Sequence, residues 1–155
     1  MRISVVIPAH NEEQSIADCL HSLLSQTTRP FEIIVVNNNS TDQTIAIIQR
    51  FKSPLIRIVN ESKKGITYAR TAGFSAAHGD IIARIDADTI ARSDWIAQIE
   101  QYFETHPSVV AITGSVGIRE LSPRGKFSQP FEIAPPRHPK MKPSSDTRPA
   151  SLSSV

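Results

Sequence analysis

Asp86 and Asp88, two acidic residues separated by one alanine, are the residues of this chain whose types and spacing best suit chemistry. They follow a short apolar run, so we expect both carboxylates at the end of a strand. Two carboxylates this close repel each other, and a divalent cation with oxygen ligands relieves the repulsion. Mg²⁺ or Mn²⁺ bound in this way keeps coordination positions open for phosphate oxygens. In the structural alternative, Asp88 only begins a turn and Asp86 caps a neighbouring element.

Two other polar segments, residues 8–13 and 37–42, also follow apolar runs. The second begins with three asparagines in succession, whose amides offer the donor and acceptor edges that suit a base or a ribose. Asn, Ser and Asp are equally the expected residues of a turn and a helix N-cap, so a purely structural role stays open.

Basic residues lie before and within residues 66–77, a segment whose apolar residues recur at helical spacing. Lys63, Lys64 and Arg70 either contact a phosphate or form a solvated basic surface. His10 and His78 have no second His or Cys at metal-ligand spacing, and the sequence therefore predicts no zinc site.

Strands and helices that alternate along the chain must position these residues. Five runs rich in Ile and Val predict strands over residues 3–8, 31–36, 55–59, 81–85 and 109–113. Apolar residues recur at helical spacing in the segments between them. This alternation predicts an α/β fold with a mostly parallel, Rossmann-like sheet flanked by helices. Ligands bind such sheets beyond the carboxyl ends of the strands, where we expect the three polar segments to meet.

Composition excludes several classes of protein. The chain has 155 residues, a single cysteine, Cys19, and no apolar run of the roughly 18 residues that a membrane span needs. A disulfide framework and a secretory leader are therefore not expected, Cys19 is predicted to be a core residue, and the default location is cytoplasmic.

Two common nucleotide-binding loops are not expected either. Residues 8–13 contain no glycine, which argues against a dinucleotide-binding loop, and Lys64-Gly65 has the wrong order for a P-loop.

Charge and proline content divide the chain into two regions. Residues 1–121 hold 11 Lys+Arg, 13 Asp+Glu and 4 prolines, whereas residues 122–155 hold 6, 2 and 7. We therefore predict one partial domain over 1–121 and a basic, Pro/Ser-rich tail over 122–155 that is largely disordered. The tail has no aromatic stacking platform and no amphipathic helix, so nucleic-acid binding is disfavoured, and peripheral association with an anionic membrane stays an alternative.

Four segments in the same order and spacing resemble the family 2 glycosyltransferases, which have a GT-A nucleotide-sugar-binding fold. They are residues 4–13, 32–42, 65–73 and 79–88, and the resemblance extends over residues 2–121. It implies metal-dependent transfer of a sugar from a nucleotide-diphosphate sugar to an acceptor hydroxyl, with inversion and a carboxylate base. The implied acceptor is a saccharide or a lipid, and the inner face of a membrane is an alternative location.

The resemblance also implies roles for individual residues. It implies a nucleotide pocket lined by Pro8, Ala9, Glu12, Asn38, Arg70 and Asp86. Asn38 would lie near the base, and Asp86 near the ribose and the metal. Asp88 would be the principal ligand of the Mn²⁺ or Mg²⁺ ion that bridges the diphosphate, with Asp86 as a second carboxylate.

Two features depart from the family pattern. Asn37 and Asn38 stand where family members often carry Asp, and no segment corresponds to the C-terminal half of the family domain, with its acceptor site and catalytic carboxylate. No catalytic base is assigned, since Glu120, Glu132 and Asp146 lack a supporting pattern. The alternative to a working transferase is therefore a truncated, catalytically incompetent module that binds a nucleotide sugar.

Overall fold

The structure, a computed structural model, describes residues 1–114 and 131–134. Its elements alternate between strand and helix over most of the chain. In chain order they are β1 (Ile3–Ala9), α1 (Ile16–Leu24), β2 (Glu32–Asn37), α2 (Thr44–Gln49), β3 (Ile56–Asn60), α3 (Ile66–Ala76), β4 (Ile81–Arg84), α4 (Trp95–Thr105), β5 (Thr113–Gly114) and β6 (Phe131–Ala134). Within these ranges, no helix combines the length and the apolar composition that crossing a membrane requires.

Six strands form one sheet in the order β3-β2-β1-β4-β6-β5. β1 pairs in parallel with β2 and with β4, and β2 pairs in parallel with β3. The chain therefore builds outward from β1 to β3 and then returns to add β4 on the other side of β1. This reversal of strand order leaves a crevice at the carboxyl ends of β1 and β4. The predicted α/β fold with a mostly parallel sheet is confirmed.

The strand predictions differ from the structure mainly after α4. The first four predicted strands agree with β1 to β4 to within one residue at each end, whereas the fifth is only the two-residue β5. β6 lies within the predicted tail and pairs antiparallel with both β4 and β5. Sequence reasoning misses β6 because four residues are too few to give a periodic signal. The rest of the predicted tail, with the prediction of its disorder, lies outside the described residues.

Helices cover both faces of the parallel strands. Because successive side chains of a strand point to opposite faces, Val5 and Val35 pack with α1, α2 and α4, whereas Val6 and Val36 pack with α3. Every residue of β1 is buried. Burial on both faces explains why these strands appear in the sequence as continuous Ile and Val runs without strict alternation.

Helix α3 lies close to the sheet because of one glycine. A Cβ atom at Gly73 would stand 2.3 Å from Cγ1 of Val6 and 2.9 Å from Cγ2 of Val36. Such distances are shorter than carbon atoms tolerate, so only a residue without a side chain fits at this position. As the helix that follows β3, α3 begins at the carboxyl ends of the strands, and its first turn is thereby fixed beside the crevice.

Candidate functional site

A cavity of about 470 Å³ lies at the carboxyl ends of the parallel strands. Its size is within the usual range of small-molecule sites. All seven residues that the sequence assigns to nucleotide or metal binding line it: Pro8, Ala9, Glu12, Asn38, Arg70, Asp86 and Asp88. The other lining residues are His10, Lys64, Gly65, Ile66, Ala69 and Ala87. The structure therefore brings the predicted site residues together at one place, while their individual roles stay predictions.

The carboxylate of Asp86 is held by the last residue of β4. Arg84 is 3% exposed, and its guanidinium donates a hydrogen bond from Nη1 to Oδ1 of Asp86. A charge-assisted bond of this kind fixes the orientation of the carboxylate. Sequence reasoning assigns no role to Arg84, although an arginine inside an otherwise apolar run is a signal that could have identified it.

Asp88 is the freer of the two acids. Its side chain is exposed, and in the described part of the chain no donor and no cation contacts its carboxylate. Residues 1–114 and 131–134 contain no group of three or more His, Cys, Asp or Glu side chains that could hold a metal ion. A cation held by Asp88 and Asp86 would therefore take its other ligands from water or phosphate oxygens, as Mg²⁺ commonly does. The donor set fits Mn²⁺ or Mg²⁺ on that basis.

Positive charge enters the cavity from the start of α3. Nε of Arg70 is buried and has no hydrogen-bond partner among the residues that the structure describes. A buried donor without an acceptor is costly, and an anionic oxygen of a ligand would satisfy it. Lys64 is exposed, and within the described ranges its ammonium group forms no ion pair. The cavity therefore combines three carboxylates with two cations that have no acidic partner in the described chain.

His10 also lines the cavity, although the sequence predicts no role for it. Its Nδ1 lies 2.8 Å from the backbone oxygen of Asn38. Since a carbonyl oxygen can only accept a hydrogen bond, Nδ1 carries the proton and Nε2 is left for other partners. The sequence signal for His10 is its place between two predicted lining residues, Ala9 and Glu12.

Glu12 is fixed by hydrogen bonds to Ser15, which precedes α1, and to Thr44 of α2. Its carboxylate accepts a hydrogen bond of 2.7 Å from Oγ of Ser15, and its backbone nitrogen donates to Oγ1 of Thr44 at 2.8 Å. Thr44 is the first residue of α2, so the segment after β1 is tied to the segment after β2. The rim of the cavity is thus built from two strand ends that support each other.

The amide of Asn38 is occupied by the chain itself. Its Nδ2 donates to the backbone oxygens of Glu61 at 3.0 Å and Lys63 at 2.7 Å, and its Oδ1 accepts from the backbone nitrogen of Gly65 at 2.8 Å. Both hydrogens of the amide and its oxygen are therefore in use, and the residue is only 6% exposed. Asn38 lies at the cavity, as the sequence predicts, but its polar groups are directed to the segment between β3 and α3.

The thiol of Cys19 lies behind the acidic pair. Its Sγ is 3.7 Å from the backbone oxygen of Asp86, and the residue is fully buried in the core. Burial first, and then the negative charges of Asp88 and Asp86, raise the pKa of Cys19 to about 12. Cys19 is therefore a protonated core residue, in agreement with the sequence prediction.

Comparison with known proteins gives related sequences. The sequence model described as glycosyl transferase family 2 matches residues 4–149. Among curated relatives, the glucosyl-dolichyl phosphate glucuronosyltransferase of Haloferax volcanii is 31% identical over 120 residues. The alignment covers 75% of this chain but 38% of that relative, so the chain spans well under half of the relative's length.

Solved structures give the same fold. The mannosyltransferase PcManGT of Pyrobaculum calidifontis, in complex with GDP-Man and Mn²⁺, has a TM-score of 0.65 and 27% identity over 71% of this chain and 34% of that one. Residues 1–349 of S. aureus TarS in complex with UDP have a TM-score of 0.68 and 23% identity, over 82% of this chain and 38% of that one. The second likeness shows the GT-A fold alone. With the family match extending over most of its length, the chain belongs to glycosyl transferase family 2.

Proposed function

We propose that this family member transfers a sugar from a nucleotide-diphosphate sugar to an acceptor hydroxyl, with the help of a divalent cation. The observation that carries the proposal is the combination, in one cavity, of Asp86 and Asp88 with Arg70, whose buried Nε has no partner among the described residues. A diphosphate and its metal ion need both kinds of group. Carboxylates hold the cation, and guanidinium groups bind the phosphate oxygens.

The donor nucleotide is assigned to the wall formed by the end of β1 and the start of α3. Pro8, Ala9 and Glu12 would border the nucleoside, and Arg70 would donate to a phosphate oxygen. Asp86 would face the ribose and the cation, and Asp88 would be the principal cation ligand. A neighbour of the same fold was determined with UDP and another with GDP-Man and Mn²⁺, which supports a nucleotide and a divalent ion here without deciding between the two bases.

The transfer step needs charge neutralised on the leaving group. The acceptor oxygen attacks the anomeric carbon and gives up its proton to a general base, the bond from that carbon to the diphosphate breaks, and the nucleoside diphosphate leaves with the bonding electrons. A bound divalent cation would act as a Lewis acid on that diphosphate. Arg70 and Lys64 would add positive charge from the chain itself, fixed in place before the reaction begins. Inversion follows where the acceptor attacks from the face opposite the diphosphate.

Neither the residues that bind the acceptor nor the general base is assigned. Glu132 lies in β6, while Glu120 and Asp146 lie outside the described residues, so none of them is assigned. The second candidate function is therefore a module that binds the nucleotide sugar without transferring the sugar. The observation that favours it is that the residues lining the cavity are candidates for donor and cation binding, and none of them is assigned as a general base. For the acceptor we propose a saccharide or a lipid, and for the location the cytoplasm or the inner face of its membrane.

Calorimetric titration of the 155-residue chain with UDP and with GDP, each with and without MnCl₂, tests the binding proposal. Asp88→Asn should weaken Mn²⁺-dependent binding at least about tenfold, since one carboxylate ligand of the cation is lost. The matched control is Asp18→Asn, which removes one exposed acid on α1 away from the cavity and should leave affinity unchanged. Absence of binding to both nucleotides, or equal affinity of the Asp88→Asn variant, would contradict the proposal.

A second assay separates the two candidate functions. The purified chain is incubated with radiolabelled UDP-glucose, UDP-GlcNAc or GDP-mannose and a panel of saccharide and lipid-phosphate acceptors. Sugar transfer by this chain alone supports the transferase and rules out the binding module. Tight, metal-dependent nucleotide binding with no transfer to any acceptor supports the binding module.

A further inference from the structure

The segment between β3 and α3 is held by two adjacent asparagines. Asn38 bonds to the backbone of Glu61, Lys63 and Gly65 as described above. Nδ2 of Asn39 donates to the backbone oxygens of Glu61 at 3.2 Å and Ser62 at 3.0 Å. Five hydrogen bonds from two side chains therefore fix residues 61–65, which we call the clamped loop. The left-handed backbone of Asn39, with φ of 60°, turns its side chain toward the same loop.

The clamped loop carries two lysines in different situations. The ammonium group of Lys63 lies 5.6 Å from the centre of the Tyr68 ring, a cation–π contact outside the cavity. Lys64 lines the cavity and forms no ion pair within the described ranges. The two lysines thus differ in whether they reach the cavity, and of the two only Lys64 is available to an anion bound there.

We propose that Asn38 is a positioning residue that holds the clamped loop so that Lys64 meets the diphosphate of the donor, instead of a residue that reads the base. The proposal rests on the proposed function, because it assumes a nucleoside diphosphate in the cavity. It follows from hydrogen-bond capacity: an amide has two hydrogens to donate, and the loop carbonyls take both. No donor of Asn38 is left for a base edge.

Asparagine is specifically matched to this role. Aspartate at position 38 would place one carboxylate oxygen against the backbone oxygens of Glu61 and Lys63, which can only accept, while its other oxygen could still accept from the backbone nitrogen of Gly65. Buried acceptors that face each other repel, so the loop would have to move away. The asparagine in place of the family's frequent aspartate therefore accompanies a loop whose carbonyls accept from its amide.

A double-mutant cycle tests whether Asn38 acts through Lys64. Asn38→Asp and Lys64→Ala should each weaken the binding of UDP and of GDP by the same factor, about tenfold, since each removes the same charge-assisted phosphate contact. The double variant should bind no more weakly than the weaker single variant. The matched controls, Asn37→Asp and Lys63→Ala, should stay within about twofold of the parent chain. Losses that multiply, or a loss for one nucleotide only, would overturn the proposal in favour of base reading.

Trypsin supplies a readout that needs no ligand. Lys63 and Lys64 are exposed, and cleavage after either requires the loop to leave its bonded conformation. Asn38→Asp should speed cleavage at these two sites at least about tenfold, because local opening becomes easier, while Asn37→Asp should not. Asn39→Asp is the second variant in case Asn38→Asp does not fold, and it should speed the same cleavage. If Asn38→Asp is cleaved at the same rate as the parent chain and the parent chain binds nucleotide, the role of Asn38 is overturned and the proposed function stands. If the parent chain binds no nucleotide, the proposed function is overturned as well.

Discussion

The guanidinium of Arg84, buried at the end of β4, bonds to the carboxylate of Asp86 at the wall of the cavity. The bond joins a residue whose neighbours are core side chains to a residue that faces a ligand. It also supplies a fixed positive charge next to the acidic pair, so that the two carboxylates repel each other less than they would alone. Stability and site geometry therefore depend on the same contact.

Replacement of Arg84 by methionine should destabilise the chain. Asp86 is 25% exposed and loses its charged partner, which we expect to cost about 1–3 kcal/mol in the free energy of unfolding. The control is Arg92→Met, because the pair of Arg92 with Asp94 has an arginine side chain 79% exposed and should contribute about 0.5 kcal/mol or less. Urea unfolding followed by fluorescence of Trp95 measures both. Equal losses in the two variants would contradict the prediction.

Gly73→Ala should lower the thermal midpoint, although alanine favours helices over glycine by about 1 kcal/mol. The added methyl group would overlap Cγ1 of Val6, and the resulting overpacking should cost about 1–3 kcal/mol. Ser75→Ala, an exposed substitution in the same helix, should leave the midpoint unchanged or slightly higher. Calorimetry gives both midpoints, and a rise for Gly73→Ala would show that α3 is not fixed by this contact.

Glu32 should make stability depend on acid pH. Burial favours its neutral form, but hydrogen bonds from Arg57, His78 and Ser4 prevail and hold the pKa of Glu32 below its ordinary value. A carboxyl with a lowered folded-state pKa stabilises the fold above its unfolded pKa of about 4.3, and this contribution is lost as pH falls through the folded value.

Glu32→Gln should therefore be less stable than the parent chain at neutral pH and should lose less of its remaining stability on acidification. Urea unfolding at a series of pH values from about 7 down to about 3.5 measures the slope. Glu104→Gln, which removes an exposed carboxyl, should keep the parental slope. A slope for Glu32→Gln as steep as that of the parent would assign the acid sensitivity to other groups.

The thiol of Cys19 should not react in the folded chain. Its burial and its pKa of about 12 leave almost no thiolate at pH 8. Dithionitrobenzoate should therefore modify it only as fast as the chain unfolds, and rapidly once urea is present. Immediate modification of the native chain would show that the cavity opens as far as the core behind Asp86.

Much of the architecture could be predicted because the parallel strands are buried on both faces. Strands such as β1 and β2 are rich in Ile and Val for that reason, and polar residues mark their ends. The strand ends meet at the carboxyl edge by topology alone, so the convergence of Pro8, Asn38 and Asp86 on one cavity required no knowledge of side-chain contacts.

The remaining features depend on which partner each polar group finds. The amide of Asn38 could bond equally well to a base or to a loop. Only the position of the Lys63 backbone oxygen shows that the amide donates to the loop. The burial of Arg84 depends on packing between strands and helices that are distant in sequence. β6 could not be predicted from the sequence, because a strand of four residues has no clear periodic pattern and is defined by its pairing with β4.

The pairing of residue 82 with residue 134 also sets an order of events during synthesis. β1, β2, β3 and β4 leave the ribosome well before β6 and can assemble first, since chains fold from the N-terminus during translation. Until β6 arrives, one side of β4 presents unpaired backbone groups that can recruit another nascent chain. The strand that leads into Asp86 and Asp88 is thus the last inner strand of the parallel sheet to gain its second partner, and slow translation between residues 84 and 131 would lengthen that exposure.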